Sequence, residues 1–228
     1  MKPATIKEFF QAIRSGDRAR VGAMLAGDRT LAQTRDENGM GAFTAAKYSR
    51  QEEIAALLLT NDVELDIFEA CIAGDAARAA ELLSADSKLT HSYSHDGWTP
   101  LHLAAFFGQG PIASALLEHG ADAHARSRNA MENTALHAAA AGRNSAVIEL
   151  LLAHGADVNA RQHGGWTALH AASQNGDVSL VGLLLAHGAD RAARAANNQS
   201  AMDLALTGGH QAVVDILDEH ESRGHGAS

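Results

Sequence analysis

Thirteen histidines in a chain of 228 residues are the first candidates for chemistry, because imidazole can serve as a general base, a proton relay or a metal ligand near neutral pH. The densest group is HSYSH, which sets His91 and His95 four apart. No HExxH and no cysteine cluster accompanies that pair, and a zinc site needs such companions. A second signal is GQGPIA, residues 108–113, which fits the GxGxxA form of a dinucleotide fingerprint. That fingerprint must follow a strand and open the helix of a βαβ unit, and here it follows a segment that reads as helix. Cys71 is the sole cysteine; it falls on a stretch that reads as helix, as a small buried residue, and no GxSxG elbow supplies another nucleophile. These signals lead us to expect no catalytic residue, no metal and no cofactor, with the histidines bearing on pH-sensitive stability instead.

The elements that hold these residues follow from composition. Hydrophobic residues make up 46 % of the chain and aromatic ones only 4 %, so the core is built from alanine and leucine, which suits closely packed helices better than strands. No segment reaches the roughly 20 apolar residues that span a bilayer, and the N-terminal stretch lacks the uninterrupted apolar run of a signal peptide. The lone cysteine excludes an internal disulfide and fits a reducing compartment, so a soluble, cytoplasmic protein is expected. The net charge is −9, with residues 1–66 carrying 9 basic and 10 acidic side chains and residues 67–228 carrying 9 and 17. An acidic chain does not neutralise phosphates. Nucleic acid and membrane are therefore not expected as partners, and another protein is.

Self-comparison organises the chain. TPLH at 99–102 recurs as TALH at 134–137 and at 167–170, and more weakly as SAMD at 200–203, the last residues being 35, 33 and 33 apart. Each is followed by a short inner segment and then an apolar run such as AVIELLLAHGADVNA, residues 146–160. A fixed period near 33 with a turn and two helices per unit is a repeat signature. The pattern around TPLH and GADVNA resembles the ankyrin repeat. The resemblance implies an all-α solenoid of helix-turn-helix units joined by short β-hairpins or turns, acting as a protein-binding module.

Weaker copies lie upstream: FFQAIRSGD (9–17) and IFEACIAGD (67–75) align without gaps at an offset of 58. Taking the TPLH-histidine position in every unit gives Phe10, Thr44, Phe68, His102, His137, His170 and Asp203. Seven units follow, at roughly 5–35, 36–62, 63–94, 95–128, 129–161, 162–194 and 195–220, in one domain over 1–220 with a disordered tail at 221–228. About ten residues are missing between units two and three, where TNDVELD (60–66) replaces the hairpin, so a kink or notch is expected there. Gly120, Gly155 and Gly188 follow apolar runs, as left-handed residues after helices do.

By the resemblance, His102, His137 and His170 bond backbone groups between neighbouring units, and Asn159 orders its hairpin while matching a position that asparaginyl hydroxylases modify in some ankyrin proteins. It also implies that partners bind the concave face formed by hairpin tips and exposed ends of inner helices. The pairs there are Arg14 and Ser15, Tyr48 and Ser49, Ile72 and Ala73, Phe106 and Phe107, Ala141 and Gly142, Gln174 and Asn175, and Thr207 and Gly208. Exposed apolar clusters mark interaction sites, which selects Tyr48, Ile72, Phe106 and Phe107, with Trp98 and Trp166 projecting from hairpins and Gln174 and Asn175 as polar neighbours. Regulatory inhibition of an enzyme and self-assembly are the alternative functions. The acidic last helix reads as a solvated cap and favours a monomer.

Overall fold

The computed structural model describes residues 3–61 and 63–224. Helices of seven to fourteen residues are marginal alone in water, so each must bury its alanine and leucine face against a neighbour. In chain order the inner and outer helices pair as α1 (Pro3–Ser15) with α2 (Arg18–Gly27), α3 (Ala42–Tyr48) with α4 (Glu52–Leu59), and α5 (Ile67–Ala73) with α6 (Ala76–Ala85). They continue as α7 (Pro100–Phe106) with α8 (Gly110–Glu118), α9 (Ala135–Ala141) with α10 (Ser145–Ala153), α11 (Ala168–Gln174) with α12 (Val178–Ala186), and α13 (Ala201–Thr207) with α14 (Gln211–Gly224). The seven pairs stack in a row around one continuous core that runs from Phe9 to Leu217. Among the described residues the turns between units carry only isolated bridges, Arg35 with Gly41 and Arg194 with Ser200, and no continuous strand.

Each inner helix ends in a left-handed residue: Gly16, Arg50, Gly74, Gly108, Arg143, Gly176 or Gly209. At its other end the N-cap is usually a capping box. Thr99 and His102 form one for α7, Thr134 and His137 for α9, Thr167 and His170 for α11, and Ser200 and Asp203 for α13. Gly120, Gly155 and Gly188 have φ of 87°, 82° and 85°, which frees the chain to turn toward the next hairpin.

Successive hairpins are tied tip to tip by main-chain bonds: Arg128 N–H donates to Gly97 O (2.7 Å), His163 N–H to Met131 O (2.8 Å) and Ala196 N–H to Gly164 O (2.7 Å). At their bases Arg126 donates to the Arg161 carbonyl and Arg161 to the Arg194 carbonyl, both at 2.8 Å. Tyr93 extends this ladder with its hydroxyl, which donates to Arg126 O at 3.3 Å.

Among the described residues of 60–66 no hairpin forms, as the short interval predicts. In addition, α5 is out of register with the alignment. Between N-cap and left-handed residue α7 runs nine positions, Thr99 to Gly108, whereas α5 runs eight, Asp66 to Gly74. Asp66 and Glu69 make the capping box there, so Glu69, not Phe68, stands where units four to six carry histidine. At the far end α14 continues to Gly224, because no glycine or proline interrupts 211–223. The expected disordered tail is thus helical over 221–224, and residues 225–228 lie outside the described part.

Candidate partner-binding face

The residues expected on the concave face separate once the helices are in place. Tyr48 and Phe106 end α3 and α7 and are exposed, at 40 % and 39 %. Trp98 is half-buried and stands edge-on to both Phe106 (5.8 Å, 78°) and the His102 ring (5.7 Å, 76°). Phe107, half-buried against the core, meets Phe106 edge-on at 5.2 Å. Phe106 is therefore propped from two sides, and such edge-to-face pairs hold a ring in place beyond its area burial. Asn144 of the next unit donates to the Ala105 and Phe106 carbonyls at 2.9 and 2.8 Å, fixing the helix end that presents the ring.

Ile72 is the correction. It is 2 % exposed, because the shorter α5 turns it into the core and leaves Ala73 at the helix end that Phe106 occupies in α7. Farther along, Trp166 is half-buried and tilted against His170 at 5.8 Å. Gln174 is exposed and its carbonyl accepts from His210 Nε2 at 3.0 Å, while Asn175 is the half-buried C-cap of α11. The structure thus gathers Trp98, Phe106 and Phe107 into one patch and holds Trp166, Gln174 and Asn175 apart from it.

The histidine positions are structural in geometry. His102 Nδ1 accepts from the Thr99 hydroxyl (2.7 Å) and faces its N–H (3.4 Å), leaving Nε2–H to donate to Asn133 O at 2.8 Å. His137 and His170 repeat this toward the Trp166 and Gln199 carbonyls at 3.1 and 3.2 Å. Burial holds all three below the ordinary imidazole value, and His137 is pushed down to about 4. His91 closes a short 3-10 helix and His95 lies in the turn beyond it, and no group of three or more metal-ligating side chains forms among the described residues. GQGPIA bridges α7 and α8, two helices, rather than a strand and a helix. The Asn159 amide joins units five and six, donating to Gly188 O (3.1 Å) and accepting from Asp190 N–H (2.7 Å). Burial keeps the Cys71 thiol protonated.

Sequence reasoning missed a cavity of about 290 Å³ at the skipped hairpin. The hairpins of units two and four lean together above it. Tyr48 hydroxyl donates to Asp96 Oδ2 at 3.0 Å, and a Cβ added to Gly39 would lie 3.6 Å from the His95 Cβ. Thr44, Glu69, Ile72 and Leu103 line it from the inner helices. Glu69 is 5 % exposed; its Oε2 accepts from Asp66 N–H at 3.3 Å, and its Oε1 lies where a Cβ on Gly41 would collide with it. Burial first, and the Asp66 carboxylate second, push its carboxyl up to about 7. The one signal in the sequence was the D-x-x-E spacing of Asp66 and Glu69, a capping box.

No helix among the described residues is long and apolar enough to cross a membrane. Residues 67–162 match the family described as ankyrin repeats (3 copies), and residues 146–185 match ankyrin repeats (many copies). A stretch of 56 residues is 41 % identical to the mouse 2-5A-dependent ribonuclease, covering 25 % of this chain and 8 % of that protein. Repeats of this kind are generally protein-interaction modules. The threonine-histidine caps that bridge successive units lie within the matched residues, and the chain belongs to the ankyrin-repeat family.

Proposed function

We propose that this protein acts without chemistry of its own, by holding a partner protein against the concave face centred on Phe106. The observation that carries this reading is the propped, 39 % exposed Phe106 ring, in a chain whose aromatic content is 4 %. Interface hot spots are large, rigid side chains of this kind set in well-packed surroundings. Tyr48 lies on the same face, and Trp98 and Phe107 act as its supports more than as anchors. The charge of −9 favours a neutral or basic protein partner over nucleic acid, and a cytoplasmic monomer is the form in which we expect it to work.

The test is a pull-down from native extract with wild type beside Phe106→Ala. Wild type should retain a partner that the variant binds weaker by at least about 2 kcal/mol, with the melting curve moved little. Equal recovery by both would make the aromatic patch structural and move the site elsewhere on the array. Recovery by neither would overturn the binding function.

A further inference from the structure

The cavity at the skipped hairpin lacks what the other junctions have. At units four to seven a buried histidine spans each junction and is neutral and fully bonded. At unit three the same place holds a buried carboxyl, whose Oε2 accepts from Asp66 N–H at 3.3 Å and whose charge the nearby Arg35 guanidinium offsets only in part. Arg35, the one lysine or arginine lining the cavity, is committed to Asp66 Oδ2 at 2.7 Å and to Gly39 O at 3.1 Å. The lining therefore carries three carboxyl groups, Asp66, Glu69 and Asp96, against one guanidinium. A buried carboxyl that shares its one nearby cation with Asp66 is costly to keep, and glutamine would fill the same space without charge.

We propose that this cavity binds an organic cation, a guanidinium or alkylammonium group, with Glu69 as its counter-ion and with Phe68, Ile72 and Leu103 against its apolar stem. Size and chemistry select this class. A metal ion would need several free oxygens, and those of Asp66 and Asp96 already accept from Arg35, Tyr48 and Ser94. A space of about 290 Å³ lies at the small end of ligand pockets, and suits a charged head on a short hydrocarbon chain. Aromatic walls favour cations as well, and Phe68 and Tyr48 line it, whereas the Tyr93 ring already holds the Arg128 guanidinium at 3.8 Å. The charge arrives either as a free amine or as a lysine or arginine side chain of the docked partner.

The test titrates the full chain with argininamide and, in a second arm, with the peptide acetyl-Gly-Arg-Gly-amide, reading methyl shifts of Ile72 and Leu103 by NMR. Binding should shift those methyls, and Glu69→Gln should weaken it about tenfold or more. Acetyl-Gly-citrulline-Gly-amide, the uncharged isostere of the peptide, should bind wild type as weakly, which keeps the test valid if Glu69→Gln folds poorly. Tighter binding of the peptide assigns the cation to a partner's side chain, and tighter binding of argininamide assigns it to a free metabolite. No methyl shift at millimolar argininamide, or equal affinity in wild type and Glu69→Gln, would overturn the proposal. Phe106 does not line the cavity, so Phe106→Ala should keep argininamide binding. Failure here and failure of the partner-docking reading are thereby told apart.

Discussion

Units four to seven and the junction between units two and four are built from one pattern but solve the same problem differently. In the regular part, Gly97 O accepts a main-chain N–H from the next hairpin, and each buried histidine reaches the carbonyl that precedes the next cap. At the junction Gly39, 58 residues before Gly97, meets the unit-four hairpin only through side chains, a Cβ on it lying 3.6 Å from the His95 Cβ, and its carbonyl accepts from Arg35. The regular part is closed by peptide groups that must be paired when buried. Where the peptide groups are missing, side chains close the gap and leave space beneath it. Loss of one hairpin therefore costs the array little of its stack and creates a chemically distinct site.

The contrast is sharpest at the two glycines. Both are left-handed, Gly39 at φ 84° and Gly97 at φ 82°, and an L side chain there costs about 1–2 kcal/mol. A Cβ on Gly97 would also come within 2.8 Å of the Arg128 C and Asn129 N main-chain atoms, adding an overpacking cost of about 1–3 kcal/mol. Gly97→Ala should lose about 3 kcal/mol and Gly39→Ala about 1 kcal/mol, measured by urea denaturation. Equal losses would mean that the unit-two hairpin is packed as tightly around Gly39 as the unit-four hairpin is around Gly97.

The two regions should also respond to pH with opposite sign. Unfolded His137 takes up a proton near its ordinary 6.5, but the native imidazole only near 4. The unfolded state binds more protons in that window, so stability falls as pH drops from about 6.5 to about 4, by up to about 3 kcal/mol. Urea titrations at stepped pH should show this slope, and His137→Gln should flatten it. Glu69 runs the other way: ordinarily it ionises near 4.5, and in the fold near 7. There the native state binds more protons, so its contribution is fully present below about 4.5 and is lost as pH rises through about 7. Glu69→Gln should accordingly gain about 1–2 kcal/mol near pH 8 and nothing near pH 4. A uniform change at both pH values would show that the carboxyl is ionised throughout.

What the sequence made legible follows the same division. Thr99 and His102, Thr134 and His137, and Thr167 and His170 announce themselves because the cap is local, three residues wide, and recurs with the unit. The missing hairpin was legible as a short interval in the count. The register of α5 was not, since the glycine-aspartate end of IFEACIAGD aligns one way and its capping box, Asp66 with Glu69, aligns the other. The box won because it satisfies two N–H groups that would otherwise be orphaned, and Ile72 went into the core as a result. Nor does any local pattern reveal that Tyr48 hydroxyl meets Asp96, because that contact exists only after the end of α3 and the hairpin of unit four come together. Phe106 was legible as an exposed aromatic; its props, Trp98 and Phe107, were read as anchors because exposure and support look alike in one dimension.

The smallest effect tests whether the two regions differ anywhere besides their hairpins. The left-handed turn after the inner helix is filled by glycine in five units, but by Arg50 in unit two and Arg143 in unit five, at φ of 57° and 58°. One borders the cavity side of the array and the other lies in the regular part, yet the backbone geometry is the same. Glycine would relieve about 1–2 kcal/mol of left-handed strain and give back about 0.5–1 kcal/mol in the entropy of a freer unfolded chain. Arg50→Gly and Arg143→Gly should therefore each gain about 0.5 kcal/mol, equally, by thermal denaturation. A gain confined to Arg143→Gly would mean that the junction is strained through its helices as well, and that the cavity is held open by the whole second unit rather than by two hairpin tips.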